Sequence, residues 1–474
     1  MEEKSTKNAA KLLAVFLFLF FFLSLILVNT AYATPSRSPE VKTWNYEEVI
    51  SPDKSFFAFD QGFQGGVSVA IGDLGGDGKN EIVTGAGNGG GPQVRFFSKR
   101  GTFINQFFAY DEGFHGGINV AVGDLEGDGK EEIITAPKKG GGPQIRTFDG
   151  WGNPIFTNGF MAFDENFKGG VNITAGDVDG DGQEEIIAGA GQGGSPHVRV
   201  FNKQGEYTGL DFIPFSENDK GGVTVAAGNF DGDKNDEIVM AIQSVGETWV
   251  KVYKTNADKT ILGEFRAFPV EVRGGLNIAA GDVDGDGRDE VIVAIASIGG
   301  PQVKFFESYG AEIHPGFMAY EENFRGGVNL AAGNLDADDE VEIITGPSKT
   351  APSGNLDYAK YYEVNLSEQK AYAYEYGYKV KEMLISGGLP GTPSPTGTFS
   401  VFRKIYSHLY AGPGFYLPNT LYNLNFYGPY YIHGAYWHNN FGHPMSHGCI
   451  NLSYPDAEWM FNWAEVGTPV IVHY

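Results

Sequence analysis

One cysteine and one nearby histidine carry the strongest chemical signal in this sequence. Cys449 is the only cysteine among the 474 residues and lies sixteen residues after His433. A lone thiol cannot form a disulfide within its own chain, so chemistry at the sulfur is its favoured use. A free thiol is mostly protonated at neutral pH and needs a base beside it, a role suited to histidine. The pair predicts nucleophilic catalysis by Cys449, with His433 as proton donor and acceptor.

The neighbouring residues fit that chemistry. The cysteine stands within the segment Ser446-His447-Gly448-Cys449-Ile450-Asn451. A glycine before a nucleophile allows close backbone approach, so the amides around Gly448 can form an oxyanion hole. The histidine follows the strand-like run 430–432, which is a rigid support for a base.

Two other uses of these side chains stay open. Cys449 could be a buried structural thiol, because free cysteine is often fully buried. A zinc cluster could form from His433, His438, His443, His447 and Cys449, although no second cysteine or paired carboxylate completes a familiar ligand set. We interpret His438 and His443 as hydrogen-bonding groups of a loop.

These residues belong to a C-terminal region, 358–474, that contains no internal repeat. Strands are expected at 362–366 and 470–472, and the spacing of apolar residues predicts a helix over 456–464. The region should form a small β-rich domain of ordinary size. A Pro/Ser/Gly-containing stretch, 348–357, is the expected linker to the preceding part of the chain.

The preceding part, 34–347, is an array of repeats. Six Gly-Gly pairs recur at intervals of 51 to 53 residues, at Gly65-Gly66, Gly116-Gly117, Gly169-Gly170, Gly221-Gly222, Gly274-Gly275 and Gly326-Gly327. Alternating apolar residues follow each pair, and a short β-branched run follows each acidic loop, so each repeat should contain several short strands. A period this regular indicates a repeat architecture.

The two ends of the array are complementary. The segment Pro-Gln-Val-Arg-Phe-Phe at 92–97 recurs in later repeats but is missing after Ile344. A matching segment, 39–44, stands instead before the first Gly-Gly pair. A strand from one end that completes the sheet of the other end removes exposed edges, as a closed ring requires. The fold class predicted is mainly β, a six-bladed calcium-binding β-propeller followed by the small β-rich domain. A linear solenoid is the alternative.

An acidic loop begins eight residues after the first glycine of each pair. Four loops have side-chain oxygens at positions 1, 3, 5 and 9, which can converge on one hard cation, and calcium fits best because it accepts six to eight oxygen ligands. The predicted ligands are Asp177, Asp179, Asp181 and Glu185; Asn229, Asp231, Asp233 and Glu237; Asp282, Asp284, Asp286 and Glu290; and Asn334, Asp336, Asp338 and Glu342. The first two loops, with Gly75 and Glu126 at the third position, should bind more weakly. Solvated acidic turns are the alternative. The loops and their period resemble FG-GAP repeats, which implies structural calcium and a binding surface for a protein or glycan.

The N-terminus predicts export. Lysines precede an apolar run, 12–28, which is followed by Ala31-Tyr32-Ala33. This pattern is typical of a secretory signal peptide over 1–33, and an uncleaved membrane anchor is the alternative. We expect the chain in the periplasm, in the cell wall or on the outer face of the membrane. The net charge of −25 argues against a nucleic-acid partner, because phosphates would be repelled.

The C-terminal motifs resemble the L,D-transpeptidase catalytic domain. The resemblance rests on His433-Gly434, on 446–451, on Pro395-Thr396-Gly397-Thr398-Phe399 and on Gly467-Thr468-Pro469-Val470. It covers the chain from about residue 358 to the C-terminus.

That resemblance implies cross-linking of peptidoglycan without an organic cofactor. Cys449 would attack a stem tetrapeptide, expel D-alanine and form a thioester, which the amine of a neighbouring stem would resolve to a 3→3 cross-link. His433 would move the protons, oriented by the backbone carbonyl of Gly434, and the backbone of His447 and Gly448 would stabilise the oxyanion. Ser446 and Asn451 would bind substrate, and the aromatic segment 406–431 would be a lid that excludes water.

Three other functions fit the same sequence. Leakage of water into the site would make the protein an L,D-carboxypeptidase. The propeller alone could act, in a wall-associated adhesion or binding protein. The enzyme could also attach a protein to the wall instead of joining two stems.

Overall fold

A computed structural model describes residues 39–46, 51–155, 158–244, 247–272, 274–297, 299–335, 341–349, 358, 360–375, 378–412 and 415–474. The expected signal peptide, most of the expected linker, and Asp336 and Asp338 of the sixth acidic loop lie outside the described residues. Within those ranges, no helix is both long enough and apolar enough to span a bilayer.

The expected six-bladed propeller is confirmed. Each blade is a four-stranded antiparallel sheet. The N-terminal strands β1 (Glu40–Trp44) and β2 (Lys54–Phe57) belong to the last blade. Blades one to five follow in chain order: β3 (Val67–Gly72), β4 (Glu81–Ala86), β5 (Gln93–Phe97) and β6 (Phe103–Phe108); β7 (Ile118–Gly123), β8 (Glu132–Pro137), β9 (Gln144–Phe148) and β10 (Phe160–Met161); β11 (Val171–Gly176), β12 (Glu185–Ala190), β13 (Val198–Phe201) and β14 (Tyr207–Phe212); β15 (Val223–Gly228), β16 (Glu237–Ile242), β17 (Trp249–Tyr253) and β18 (Ile261–Arg266); β19 (Leu276–Gly281), β20 (Glu290–Ile295), β21 (Gln302–Phe306) and β22 (Glu312–Met318).

The sixth blade joins the two ends of the array. Its strands β23 (Val328–Gly333) and β24 (Glu342–Pro347) are completed by β1 and β2, in the spatial order β2-β1-β24-β23. Trp44 lies opposite Ile343 in this pairing, and its indole Nε1 donates to Thr345 Oγ1 at 3.0 Å. The two ends of the repeat array therefore share one sheet, and the ring is closed as the complementary ends predicted.

Apolar side chains are buried between successive blades. In one cluster, Val83 and Phe96 of the first blade pack with Ile118 and Ile133 of the second. The Gly-Gly pairs allow neighbouring blades to approach. Gly66 has φ +84°, and a Cβ there would lie 2.1 Å from the carbonyl oxygen of Ser348 in the sixth blade. Only glycine fits that contact, which explains why the pair marks every repeat.

Asparagines of the innermost strands form hydrogen bonds from blade to blade. Asn119 Nδ2 donates to the carbonyl of Val171 at 2.8 Å, and Asn329 Nδ2 donates to the carbonyl of Val67 at 2.5 Å. The second of these bonds crosses the junction where the ring closes. Asn172 and Asn277 make the corresponding bonds to the blades that follow them.

The C-terminal domain is built on one nine-stranded sheet with a single described α-helix. Its elements are β25 (Lys360–Asn365), β26 (Lys370–Glu375), β27 (Tyr378–Ser386), β28 (Gly397–Ser400), β29 (Arg403–Gly412), β30 (Phe415–Tyr427), β31 (Tyr430–Gly434), β32 (Ile450–Leu452), α1 (Tyr454–Trp463) and β33 (Pro469–His473). The spatial order is β28-β33-β25-β26-β27-β32-β31-β30-β29. The helix begins two residues before the predicted start, because Ser453 Oγ accepts from the amide of Asp456 and caps it.

We expect Trp44→Ala to lower the free energy of unfolding of the propeller by about 3–5 kcal/mol. Trp44 is 3% exposed and packs against Phe317, with ring centroids 4.4 Å apart, so truncation would leave a cavity in the closing blade. Urea unfolding measures the loss. Trp151→Ala is the matched control, since that ring is 76% exposed and should change stability little. Equal effects of both substitutions would contradict the importance of the closing strand.

Candidate active site

Two adjacent strands bring the predicted nucleophile and base together. Strands β31 and β32 are parallel neighbours, with His433 opposite Asn451, and Cys449 immediately precedes β32. Both side chains line one cavity of about 650 Å³. The hairpin formed by β29 and β30 contributes Tyr410 and Phe415 to the same lining. The cavity therefore combines a thiol, an imidazole and an aromatic wall.

His433 is held as a neutral imidazole. The ring is buried, and its Nδ1 lies 3.0 Å from the carbonyl oxygen of Gly434, so Nδ1–H donates and Nε2 keeps its lone pair. Burial lowers the pKa of His433 to about 4, although the Gly434 carbonyl acts in the opposite direction. The ring stacks on Tyr410 with centroids 4.8 Å apart, and the Trp437 ring lies 5.8 Å away. An unprotonated, rigidly held Nε2 is what a general base requires.

Cys449 is held as a neutral thiol. The residue is half-buried, and the protein packed around it raises the pKa of the thiol to about 11, while a hydrogen bond with the Tyr431 backbone acts to lower that pKa. The free protein thus holds a thiol and a neutral imidazole in one cavity, not a thiolate and an imidazolium. Transfer of the thiol proton to His433 must therefore accompany attack on a substrate.

The turn before Cys449 uses two of the predicted site residues internally. Ser446 Oγ donates to the carbonyl of Cys449 at 2.5 Å and accepts from the Gly448 amide at 3.1 Å. Gly448 has φ +109°, and a Cβ there would lie 2.4 Å from the Tyr430 ring. The predicted roles of the Gly448 amide at the oxyanion and of Ser446 at the substrate stay predictions. Both groups set the shape of the turn, and the amides of His447 and Cys449 form no hydrogen bond with any described residue.

The other predicted residues lie around the cavity. His447 is exposed, and its ring stacks on Phe415 of the hairpin, with centroids 5.1 Å apart. Asn451 is 1% exposed, and its Nδ2 lies 3.2 Å from His438 Nε2. Its Oδ1 is buried and has no partner among the described residues. An unsatisfied buried amide group that lines the cavity is suited to a hydrogen bond with a substrate.

Sequence reasoning did not single out two aromatic residues that contact the base. Tyr410 and Trp437 flank His433, yet both come from segments rich in tyrosine and tryptophan. No spacing distinguished them from their aromatic neighbours. The predicted lid, 406–431, corresponds to most of the β29–β30 hairpin and the start of β31.

Three acidic loops bring carboxylates together, and in each trio the oxygens lie within 4.8 Å of one another. The trios are Asp177, Asp179 and Glu185; Asp231, Asp233 and Glu237; and Asp282, Asp284 and Glu290. Three other predicted ligands lie outside the trios: Asp181 and Asp286 accept from the amides of Gln183 and Arg288, and Asn229 accepts from the amide of Gly232. In the sixth loop, Glu342 accepts from the amide of Leu335, and Asn334 accepts from Asn80 through its carbonyl.

The three trios differ in how their charge is balanced. Burial raises the pKa of Glu185 and that of Glu237 to about 7 and that of Glu290 to about 8, so a cation beside these carboxylates would relieve an electrostatic cost. The trio that contains Asp231 already has a cation, because Lys254 Nζ contacts Asp231 and lies 3.2 Å from Asp233. Calcium thus fits the loops of Asp177 and Asp282 better than the loop of Asn229.

Two parts of the chain match known protein families. Residues 359–472 match the profile of the L,D-transpeptidase catalytic domain, and residues 169–208 match the FG-GAP repeat. YciB of Bacillus subtilis, assigned to the L,D-transpeptidases, is 27% identical over 165 residues, which are 28% of this chain and 81% of YciB. L,D-transpeptidase 1 of Mycobacterium tuberculosis is 32% identical over 108 residues, covering 20% of this chain and 43% of that protein.

Solved structures include the catalytic domain of an E. faecium L,D-transpeptidase. It is 31% identical to this chain, with a TM-score of 0.23, and the match covers 24% of this chain and 96% of that domain. The chain spans less than half of the mycobacterial relative named above.

We expect alkylation of Cys449 by iodoacetamide to accelerate about tenfold per pH unit from pH 7 to pH 10, because only the thiolate reacts and the thiol pKa is about 11. Stopped samples analysed by mass spectrometry give the rate at each pH. Cys449→Ala is the control for labelling at other groups. A rate that reaches its plateau below pH 7 would instead indicate a preformed thiolate–imidazolium pair.

Proposed function

We propose that this chain, which carries an L,D-transpeptidase catalytic domain over residues 359–472 and is a transpeptidase enzyme, cross-links peptidoglycan stem peptides outside the cytoplasm. One observation carries the proposal: His433 is fixed by the Gly434 carbonyl in the tautomer of a base, in the same cavity as Cys449. No organic cofactor is needed for acyl transfer by these two side chains.

In the first half of the proposed reaction, Cys449 attacks the carbonyl carbon that follows the third residue of a stem tetrapeptide. The thiol proton passes to His433 Nε2 as the sulfur–carbon bond forms. The bond to the terminal D-alanine then breaks, and its nitrogen leaves with the proton from His433. The product is a thioester on Cys449. The free amides of His447 and Cys449 are suited to stabilise the oxyanion between these steps.

In the second half, the side-chain amine of a neighbouring stem attacks the thioester. His433 accepts a proton from that amine, a new amide bond forms, and the sulfur leaves as a thiol that takes the proton from His433. A 3→3 cross-link results. Water competes with the amine for the same thioester, so exclusion of water favours transfer over hydrolysis. The aromatic wall formed by Tyr410 and Phe415 is suited to exclude it.

The remaining parts of the chain have proposed roles in delivery and stability. The sequence of 1–33 supports export to the periplasm, to the wall or to the outer membrane face, with cleavage or with retention as an anchor. The carboxylate trios at Asp177 and Asp282 support structural calcium in the propeller. The propeller itself would contribute a surface for a protein or glycan of the wall.

Incubation of the full chain with disaccharide tetrapeptide tests the proposed reaction. We expect cross-linked dimers and free D-alanine by mass spectrometry, and neither product with Cys449→Ala. A reaction that releases D-alanine without dimers would identify a carboxypeptidase instead. Absence of both products with the unmodified chain would contradict catalysis and favour a binding protein.

Calorimetry of the full chain tests whether the propeller binds calcium. We expect a chelator to lower the melting temperature of the propeller transition by at least about 5 °C and to leave the catalytic domain unchanged, because a ligand that binds only the folded state stabilises it. Asp284→Asn should reduce the shift, whereas Asp258→Asn, which replaces an exposed carboxylate outside the loops, should not. Unchanged melting with chelator would contradict the calcium assignment.

A further inference from the structure

The central channel of the propeller has two mouths of opposite charge. At one mouth, where the innermost strands end, the cavity is lined by Glu131, Glu184, Asp236 and Asp289. Two of these carboxylates have partners, since Asp236 and Asp289 accept from backbone amides of the preceding blades at 3.0 and 2.8 Å. These two side chains at the acidic mouth therefore serve contacts between blades.

The other mouth is basic. It is a cavity of about 390 Å³, at the starts of the innermost strands, whose lining includes Lys138, Lys139, Arg325 and Lys349 and no described carboxylate. Lys138, Lys139 and Lys349 form no ion pair with any described residue. In a chain of net charge −25, three unpaired amines around one cavity are an unexpected concentration of positive charge.

Partial burial and mutual repulsion disfavour the charged forms of two of these lysines. Burial lowers the pKa of Lys138 to about 8, and the nearby Lys349 adds to that effect. The pKa of Lys349 is lowered by burial, then by Lys139 and by Lys379 of the catalytic domain. A bound anion would relieve both causes.

The floor of the basic mouth is rigid and polar. It consists of the asparagines that link the blades, and Gln243 Nε2 donates to Asn172 Oδ1 at 2.8 Å while Ser348 Oγ donates to Asn329 Oδ1 at 2.8 Å. Because these amides are held by several bonds each, the three lysines stand on a preorganised base. Preorganisation lowers the cost of binding a ligand.

The mouth is also connected to the active site by one strand. Lys379 and Val380, near the start of β27, line the basic mouth, and Ser386 at the end of β27 pairs with Asn451. Ser386 lies seven positions after Lys379 in the strand, which corresponds to a distance of about 23 Å. A polymer that is held at the mouth could therefore extend to Cys449.

We propose that Lys138, Lys139 and Lys349 form an anion-binding site that holds a carboxylate or phosphate group of a wall polymer while another part of the wall occupies the catalytic cavity. The statement that another part of the wall occupies the catalytic cavity rests on the proposed function. The anion site itself does not. Two sources supply the required chemistry: the carboxylates of stem peptides and the phosphates of a polyol-phosphate polymer.

The test measures binding to full-length Cys449→Ala, which cannot turn over substrate, by calorimetry at low salt. The probes are disaccharide tetrapeptide, a glycerol-phosphate oligomer and, as the neutral control, an N-acetylglucosamine tetramer. The site variant combines Lys138→Gln, Lys139→Gln and Lys349→Gln. The matched control combines Lys54→Gln, Lys99→Gln and Lys203→Gln, which removes the same charge elsewhere on the propeller.

We expect at least one anionic probe to bind the site variant about tenfold more weakly than it binds Cys449→Ala alone. The affinity of the same probe for the control variant should be almost unchanged. If the site variant binds the glycerol-phosphate oligomer more weakly, the ligand group is a phosphate. If it binds the tetrapeptide more weakly, the ligand group is a carboxylate. Failure of both anionic probes to bind, or equal weakening by both variants, would overturn the site. If the triple variant does not fold, Lys139→Gln alone provides the comparison.

Turnover of the small disaccharide tetrapeptide separates this inference from the proposed function. The three lysine substitutions, in a chain that keeps Cys449, should leave that turnover unchanged, because none of them lines the catalytic cavity. A chain that binds the anion without turnover would refute the transpeptidase reaction and keep the site. A chain that turns over substrate but binds neither anionic probe would refute the site alone.

Discussion

The pairing of β1 with β24 is the contact on which the propeller depends. Without it, the last blade would keep only β23 and β24, and β24 would present an unpaired strand edge to solvent. The innermost strands form both mouths of the channel, and their blade-to-blade bonds, such as that from Asn329 to the carbonyl of Val67, need a closed ring. The acidic loops inherit their geometry from the same ring, because each loop joins an innermost strand to its neighbour in the blade. Closure is therefore a condition for every ligand site of this domain.

The catalytic domain depends on a different balance, in which burial keeps both reacting groups neutral. A buried thiolate–imidazolium pair would have to be stabilised by the surrounding protein, and the cavity around Cys449 and His433 is largely aromatic. The free enzyme avoids that cost, since the pKa of Cys449 is raised and that of His433 is lowered. The consequence is a nucleophile that stays unreactive until a substrate carbonyl accepts the electron pair of sulfur. Such a thiol resists oxidation, because the thiolate is the form that oxidants attack.

Much of the fold could be predicted from the sequence because it repeats. Gly66 and its five equivalents reveal the period, since each allows a contact with the neighbouring blade that no other residue permits. The displaced segment 39–44 then reveals the closure. In the catalytic domain, the bond from His433 to Gly434 is local in sequence and could be expected. The hydrogen bond from the Gly448 amide to Ser446 Oγ could not be expected, because the same sequence pattern is compatible with more than one geometry of the turn. Lys254 likewise lies close to Asp231 only after strand β17 pairs with β16, a contact that no spacing in the loop reveals.

Strand β27 offers a physical reason for the two domains to occur in one chain, because it runs from the basic mouth to the catalytic cavity. A transpeptidase must hold two wall segments near one thioester, and the cavity around Cys449 is large enough for peptides but not for a polymer. Weak attachment at a second point raises the effective concentration of the polymer at the first without any new contact there. The basic mouth is suited to such attachment, because its lysines lie apart from the catalytic residues and β27 fixes the separation between them. The separation is rigid because a strand sets it. It favours polymers in which the distance between the acidic group and the reactive amide matches the length of the strand. The propeller would therefore select among wall segments as well as retain them.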